Sequence, residues 1–343
     1  MKQLRRRIQQ CAHQFVTLQK RATRGVFCAL VLLIAAPSAR ADVTLLLELP
    51  INALGHFSAT GHAALLTDDL CSDNHVHMRP CRSGETGSVI SRYHLPHHGY
   101  DWIAISPEAY LFASAASGST SPVTVGLDRS EFQAMQASYR AQHAAEFLAP
   151  LPDDIWVQLV GASYRREIVA VRLRTTDGQQ DRLMAWLNAR KNRSHFNFFF
   201  NNCADFVRQM LNVLYPGAVR RSLLFDAGMT TPEQLADSMR RYARRRPNVG
   251  FDVRVLPQVP GELPRSAHMY GVTESFVKRT PWALPLVILD PVEFGGVIAS
   301  GLLDPRWDIN RAAKAAPPWH PLASGDDEAS TLASGSHPAE DTD

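Results

Sequence analysis

The segment from Cys203 to Leu214 has a spacing of apolar residues that only a helix buried along one face satisfies. These residues recur at intervals of three and four positions: Cys203, Phe206, Val207, Met210, Leu211 and Leu214. Asn201 and Asn202 precede the stripe as capping residues, and Pro216-Gly217 follows as a stop signal. The sequence therefore predicts a helix that begins at Cys203.

A cysteine at the start of a helix is well placed for nucleophilic chemistry. The free N–H groups and the positive end of the helix dipole stabilise the thiolate, which is the reactive form. The alternative is a small core side chain, since most free cysteines are buried and inert. The chain has five cysteines, and the other four decide whether Cys203 has a partner: Cys11, Cys28, Cys71 and Cys81.

Residues 1–41 are predicted to be a secretion signal peptide. They hold eight Lys or Arg residues and no acid, and a short apolar run at 26–36 precedes a small-x-small cleavage pattern that ends at Ala41. The alternative is an uncleaved N-terminal anchor, although the run is short for a bilayer span. The mature chain would begin at Asp42 and be exported to the periplasm or the cell exterior, which are oxidising compartments.

Export makes a disulfide between Cys71 and Cys81 the expected pairing, which leaves Cys203 as the odd thiol. The loop around them is rich in histidine, and zinc binding with His75 and His77 is the alternative. No standard spacing of zinc ligands is present, so we expect neither a metal site nor another cofactor.

The charge distribution excludes a strongly basic nucleic-acid-binding domain. The formal net charge is +3, and removal of the eight leader cations leaves −5. Six acids fall between Asp326 and Asp343, so the body is near neutral. One basic cluster lies near the end of a helix predicted to start at Thr231-Pro232: Arg240, Arg241, Arg244, Arg245 and Arg246. A solvated helix end is its simplest interpretation, and contact with an anionic lipid or a phosphate is the alternative.

Strand-like and helix-like segments are mixed without a regular βαβ alternation, which predicts an α+β fold rather than a doubly wound sheet. The strand-like runs lie at 43–49, 62–66, 102–105, 123–125, 155–160 and 168–173. Besides the segment at Cys203, amphipathic helices are predicted to start near Asp128 and Asp177. No Gly-rich phosphate loop and no G-x-S-x-G motif is present, so nothing indicates nucleotide or serine-hydrolase chemistry.

A cysteine nucleophile needs a base, and histidine is its usual partner. His62 begins the strand-like run Gly61-His62-Ala63-Ala64, whose small residues let another element come close. A histidine on a strand is otherwise a core or edge residue. His56 is the rival candidate, in a less regular stretch.

Gly61-His62-Ala63 early in the chain and Asn202-Cys203-Ala204-Asp205-Phe206-Val207 far downstream resemble the circularly permuted papain-like cysteine hydrolases. These have an NlpC-type fold and are related to the lecithin:retinol acyltransferase-like proteins. The order of His before Cys marks the permuted branch. The resemblance implies a small antiparallel sheet packed on helices, with Cys203 as nucleophile and His62 as base.

The resemblance also implies a third polar residue that orients the base, and the motif does not identify it. The candidates are Asp101, His94 and Ser91. The expected organisation is a signal peptide at 1–41 and a permuted papain-like catalytic domain at 42–230. A C-terminal extension with a helix and an apolar segment follows at 231–313, and then a disordered acidic tail at 314–343.

The predicted function is that of an exported cysteine hydrolase, an amidase or peptidase acting on cell-envelope peptides. Two alternatives stay open: an envelope lipid acyltransferase or thioesterase with the same Cys-His pair, and a catalytically inactive envelope-binding module. A peripheral membrane contact is a further expectation, because the run at 282–298 is largely apolar. Asp290 and Glu293 interrupt that run, which favours packing inside the protein. No nucleic-acid partner is expected.

Overall fold

The structure is a computed structural model that describes residues 41–51, 60–92, 100–113, 128–143, 160–193, 196–279 and 306–321. Several predictions concern residues outside these ranges: the leader, His56, His94, the strands at 123–125 and 155–159, the apolar segment at 282–298, and residues 322–343 of the acidic tail.

A six-stranded antiparallel sheet forms the centre of the described chain, in the order β6-β5-β2-β1-β7-β8. A two-stranded hairpin, β3 and β4, lies outside it. The strands are β1 (Ala41–Glu48), β2 (His62–Thr67), β3 (Leu70–Ser72), β4 (Met78–Pro80), β5 (Ser88–Ser91), β6 (Ile103–Ile105), β7 (Ile168–Thr175) and β8 (Asp252–Leu256). The antiparallel sheet and its helices confirm the predicted α+β class.

The described helices alternate irregularly with the strands along the chain. They are α1 (Pro107–Phe112), α2 (Arg129–His143), α3 (Ala162–Arg165), α4 (Asp177–Ala189), α5 (Cys203–Leu214), α6 (Leu223–Asp226), α7 (Pro232–Arg245), α8 (Val272–Arg279) and α9 (Ile309–Ala315). Among the described residues, no helix has both the length and the apolar character needed to span a bilayer.

The central strands carry consecutive apolar residues, whose side chains point alternately to the two faces of the sheet. Both faces are therefore buried. Leu45 and Leu47 of β1 face one core cluster, together with Ala63 of β2 and the apolar stripe of α5. Leu46 and Ala64 belong to a second cluster, which contains α1. Helices therefore cover both faces, and α5 lies against the face that Ala63 shares.

A sharp backbone turn brings the chain into β2 directly before His62. Gly61 has φ of +78°, and a Cβ at this position would lie 2.3 Å from the backbone oxygen of Glu48. Only glycine fits both the conformation and the space. In the antiparallel pairing of β1 with β2 that follows, Glu48 lies opposite His62.

The predicted C-terminal extension adds a strand to the same sheet, since β8 pairs with β7. Residues 314–321, which the sequence assigns to the tail, are also structured. The Val255 N–H donates to the Pro317 carbonyl at 3.0 Å, and the Trp319 N–H donates back to the Val255 carbonyl at 2.8 Å. Trp319 is buried. The start of the predicted tail is therefore fixed along the outer strand.

Cys71 and Cys81 form the predicted disulfide, which closes the β3–β4 hairpin. This bond uses both sulfurs that the zinc alternative requires. His75 is buried, and its Nδ1–H donates to the Ala104 carbonyl of β6 at 3.0 Å, whereas His77 is exposed. Among the described residues, only Cys71, Cys81 and Glu85 come within metal-ligating distance of one another. The histidines therefore lie apart from the thiols.

We expect mass analysis of the non-reduced protein to find Cys71 bonded to Cys81 and Cys203 accessible to alkylation. The bond closes a span of 10 residues. Its reduction is expected to lower the free energy of unfolding by about 2–3 kcal/mol, because the unfolded chain regains freedom. A Cys71→Ser/Cys81→Ser variant should show the same loss and no further effect of reductant. Two free thiols and one bound zinc ion would contradict the assignment.

Candidate active site

Cys203 is the first residue of α5, as the sequence predicts. Asn202 is the N-cap residue, and its side-chain oxygen accepts a hydrogen bond from the Asp205 N–H at 2.8 Å. The Cys203 side chain is half-buried, and its sulfur accepts hydrogen bonds from the backbone N–H groups of Ala63 and Ala204. The start of α5 and the start of β2 therefore both present backbone donors to the sulfur.

His62, the first residue of β2, is the side chain that pairs with Cys203. The two share a hydrogen bond, and the imidazole is 8% exposed. Its Nε2 lies 2.8 Å from Oγ of Ser91, which leaves Nδ1 for the sulfur. When the ring is charged, it donates from both nitrogens. The structure thus brings together Cys203 and His62, the two principal predicted residues. Of the three candidates for the orienting residue, Ser91 is the one that it places in contact with the imidazole ring.

Burial and charge act in opposite directions on this pair. Burial by itself lowers the pKa of His62, but the charges of Cys203 and Glu48 more than offset it, so the pKa is raised above its ordinary value. Burial likewise favours the neutral thiol of Cys203. The charge and hydrogen bond of His62, with the two backbone donors, outweigh it and lower the thiol pKa. Both shifts favour a thiolate–imidazolium ion pair.

Glu48 supplies a buried negative charge on the strand beside His62. It lies opposite His62 in the β1–β2 pairing and is 3% exposed. Its carboxylate accepts a hydrogen bond from the Tyr110 hydroxyl and lies 3.5 Å from the Arg166 guanidinium. No motif or spacing in the sequence points to Glu48. Its role follows from the strand register, which Gly61-His62 by itself does not define.

Asp101 was another candidate for the residue that orients His62, but its carboxylate does not contact the imidazole. Its carboxylate forms an ion pair with Arg92 rather than with His62, and both side chains are almost fully buried. Its backbone N–H donates to the Asn192 side-chain oxygen at 2.7 Å. Asp101 therefore acts on the site only through Arg92.

Arg92 connects this ion pair to the start of α5. Its Nη1 donates to the Asn201 side-chain oxygen at 2.6 Å and lies 3.5 Å from the Asn202 carbonyl. Its guanidinium carbon is 4.4 Å from the centre of the Phe206 ring. Arg92 follows Ser91 directly, so one short segment at the end of β5 contacts both the histidine and the cysteine helix. Apart from its place next to Ser91, nothing in the sequence indicates that Arg92 belongs to the site.

Alkylation of Cys203 is expected to continue at pH values below the pKa of an ordinary thiol, about 8.5. The lowered thiol pKa keeps the thiolate present there, and the rate should fall only when the pH drops through that lower value. The measurement is the alkylation rate of native protein as a function of pH.

The matched control is His62→Gln, which removes the charge that stabilises the thiolate. Its inflection should move upward, to about 8.5 or higher because the site is buried. A native inflection at or above that value would show that the ion pair does not form.

No family model matches the chain, and no curated protein matches it. Among solved structures, the crystal structure of the Type VI secretion system effector TseH aligns with 64% of this chain and 95% of its own. The identity is 11% and the TM-score is 0.30. A TM-score this low assigns neither a fold family nor a function, so the functional proposal depends on the geometry of the site.

Proposed function

We propose that the chain is a cysteine hydrolase that acts on acyl compounds, with Cys203 as nucleophile and His62 as base and acid. The observation that carries the proposal is the hydrogen-bonded pair itself. Cys203 begins α5 and bonds to His62, while Ser91 holds the second ring nitrogen at 2.8 Å. Thiol catalysis requires a nucleophile bonded to a base, and a third group that orients the base.

The chemistry begins from the ion pair. The Cys203 thiolate attacks the acyl carbon, and a backbone N–H at the start of α5 stabilises the oxyanion. The imidazolium gives its proton to the leaving amine or alkoxide as the C–N or C–O bond breaks. Water then attacks the thioester while His62 takes its proton, and the acid is released with the thiolate restored. If an amine or alcohol replaces water in this step, the result is acyl transfer.

The resemblance to the permuted papain-like hydrolases supports this proposal. The histidine strand lies early in the chain, the cysteine helix follows far downstream, and α5 packs on the antiparallel sheet that carries His62. The disulfide between Cys71 and Cys81 supports export, because such bonds persist in oxidising compartments.

Export brings envelope peptides and envelope lipids within reach, and we propose amide bonds of envelope peptides as the substrate. Lipid acyl chemistry is the second candidate. It is favoured by the exposed aromatic side chains of Phe198, Phe199 and Phe200, immediately before the catalytic helix. An inactive binding module would keep the same fold without turnover.

The deciding experiment incubates the purified protein with peptidoglycan fragments and, separately, with phospholipid vesicles, using Cys203→Ala as the matched control. New amino groups from the wall fragments, absent with the variant, support the peptidase. Cysteine-dependent release of fatty acid or lysolipid would replace it with the lipid activity. Failure of native protein to react with a thiol-directed acyl electrophile would reject the hydrolase altogether.

A further inference from the structure

Among the described residues, four large apolar side chains are strongly exposed, and three of them directly precede the cysteine helix in the chain. They are Phe198, Phe199, Phe200 and Leu223, with exposed fractions of 40%, 55%, 60% and 83%. Three consecutive phenylalanines are a costly surface to leave in water, and clusters of this kind mark sites of interaction. We call residues Phe198–Phe200 the aromatic turn.

The aromatic turn is held by hydrogen bonds rather than left loose. The Asn197 side-chain oxygen accepts from the N–H groups of Phe199 and Phe200 at 2.9 and 3.2 Å. Asn197 and Asn201 exchange backbone bonds across the turn. The Asn202 amide donates to the Phe198 carbonyl at 2.9 Å. The same residue caps α5, so the turn is fixed relative to Cys203.

Arg221 connects the aromatic turn to a basic cleft. Its guanidinium carbon lies 5.5 Å from the centre of the Phe200 ring, and its Nη2 donates to the Phe200 carbonyl at 2.8 Å. The buried carboxylate of Asp205 holds the same guanidinium at 2.7 Å. Arg221 also lines the cleft, so the aromatic and basic surfaces are continuous.

The cleft has a volume of about 640 Å³, and no acidic side chain lines it. Its charged lining consists of Arg220, Arg221, Arg241, Arg245, Arg246 and Arg306. Three of these pair with carboxylates: Arg221 with Asp205, Arg241 with Asp237, and Arg306 with Asp226 and Glu233. Among the described residues, the other three have no acidic partner, and Arg220 and Arg245 are exposed. We call this the arginine cleft.

We propose that the aromatic turn and the arginine cleft together dock the protein onto an anionic phospholipid surface. Aromatic side chains insert at the boundary between head groups and acyl chains, and exposed arginines attract anionic head groups. A free phosphate would satisfy the cleft and leave the aromatic turn in water, whereas a lipid surface covers both. The inference goes beyond the proposed function, since docking does not depend on turnover. Docking brings the start of α5 to the membrane.

The test is co-sedimentation of the mature chain from Asp42 onward, without the basic and apolar leader, carrying Cys203→Ser, which binds without turnover. The vesicles are made of phosphatidylglycerol and phosphatidylethanolamine. Binding should be strong at low salt and fall steeply as salt rises. Arg220→Gln/Arg245→Gln should weaken partitioning roughly 25-fold, about fivefold per arginine. Phe199→Ser/Phe200→Ser should weaken it by at least roughly tenfold. Arg182→Gln/Arg193→Gln removes the same charge from exposed positions outside the cleft and should bind as the parent does.

Three outcomes would overturn the proposal. One is equal binding to vesicles of phosphatidylcholine alone, which carry no net charge. Another is loss of binding on addition of inorganic phosphate at matched ionic strength with no effect of the phenylalanine variant, which would identify a phosphate pocket. The third is equal weakening by the Arg182→Gln/Arg193→Gln control. Because every arm uses the Cys203→Ser background, failure here leaves the hydrolase proposal untouched.

Discussion

Replacement of Cys203 or His62 by alanine is expected to lower the turnover of an acyl substrate by roughly 10³-fold or more for each residue. Cys203→Ala removes the atom that forms the thioester. His62→Ala removes the charge that lowers the thiol pKa and the proton that the leaving group needs. Because the two act as one unit, the double variant should lose little beyond either single variant. The measurement is kcat/KM with the substrate that native protein cleaves.

Two controls separate chemistry from folding in this experiment. Cys203→Ser keeps the size of the side chain and should be as inactive as the alanine variant, because a serine hydroxyl at this site stays protonated. Ser91→Ala removes only the oxygen at 2.8 Å from Nε2 and should cause a smaller loss. All variants should unfold near the native temperature. Full activity in Cys203→Ser would rule out the thiol mechanism.

Replacement of Arg92 by methionine is expected to lower the free energy of unfolding by about 3–5 kcal/mol. The variant leaves the Asp101 carboxylate, with a side chain only 3% exposed, without its ion-pair partner. It also removes the donors to Asn201 and to the Asn202 carbonyl, which hold the start of α5. Urea denaturation measures the loss of stability, and the alkylation rate of Cys203 measures the effect on the nucleophile.

The double variant Arg92→Met/Asp101→Leu should recover much of the lost stability, because no buried charge then lacks a partner. Arg193→Met, at an exposed position, should change the free energy of unfolding by no more than about 0.5 kcal/mol. A double variant as unstable as the sum of the two single ones would show that the ion pair itself contributes little. The destabilisation would then come from lost packing against Phe206.

The sequence by itself determined the features that depend on neighbours along the chain. The start of α5 follows from the period of its apolar stripe and from the cap at Asn202, and the structure agrees. The strands at 41–48, 62–67 and 168–175 follow from short apolar runs in the same way. The pairing of Cys71 with Cys81 followed from their closeness and from the predicted export.

The tertiary structure decided which side chains meet at the site. Ser91 lies 29 positions from His62, and the two meet because β5 pairs with β2. Glu48 lies opposite His62 through the register of β1 with β2, and Arg92 reaches Asn201 across 109 positions. A strand pattern predicts which residues share a face, but not which strand lies beside it or in which register. The sequence therefore predicted the nucleophile. The contacts of Ser91, Glu48 and Arg92 around the site could be identified only from the pairing and register of the strands.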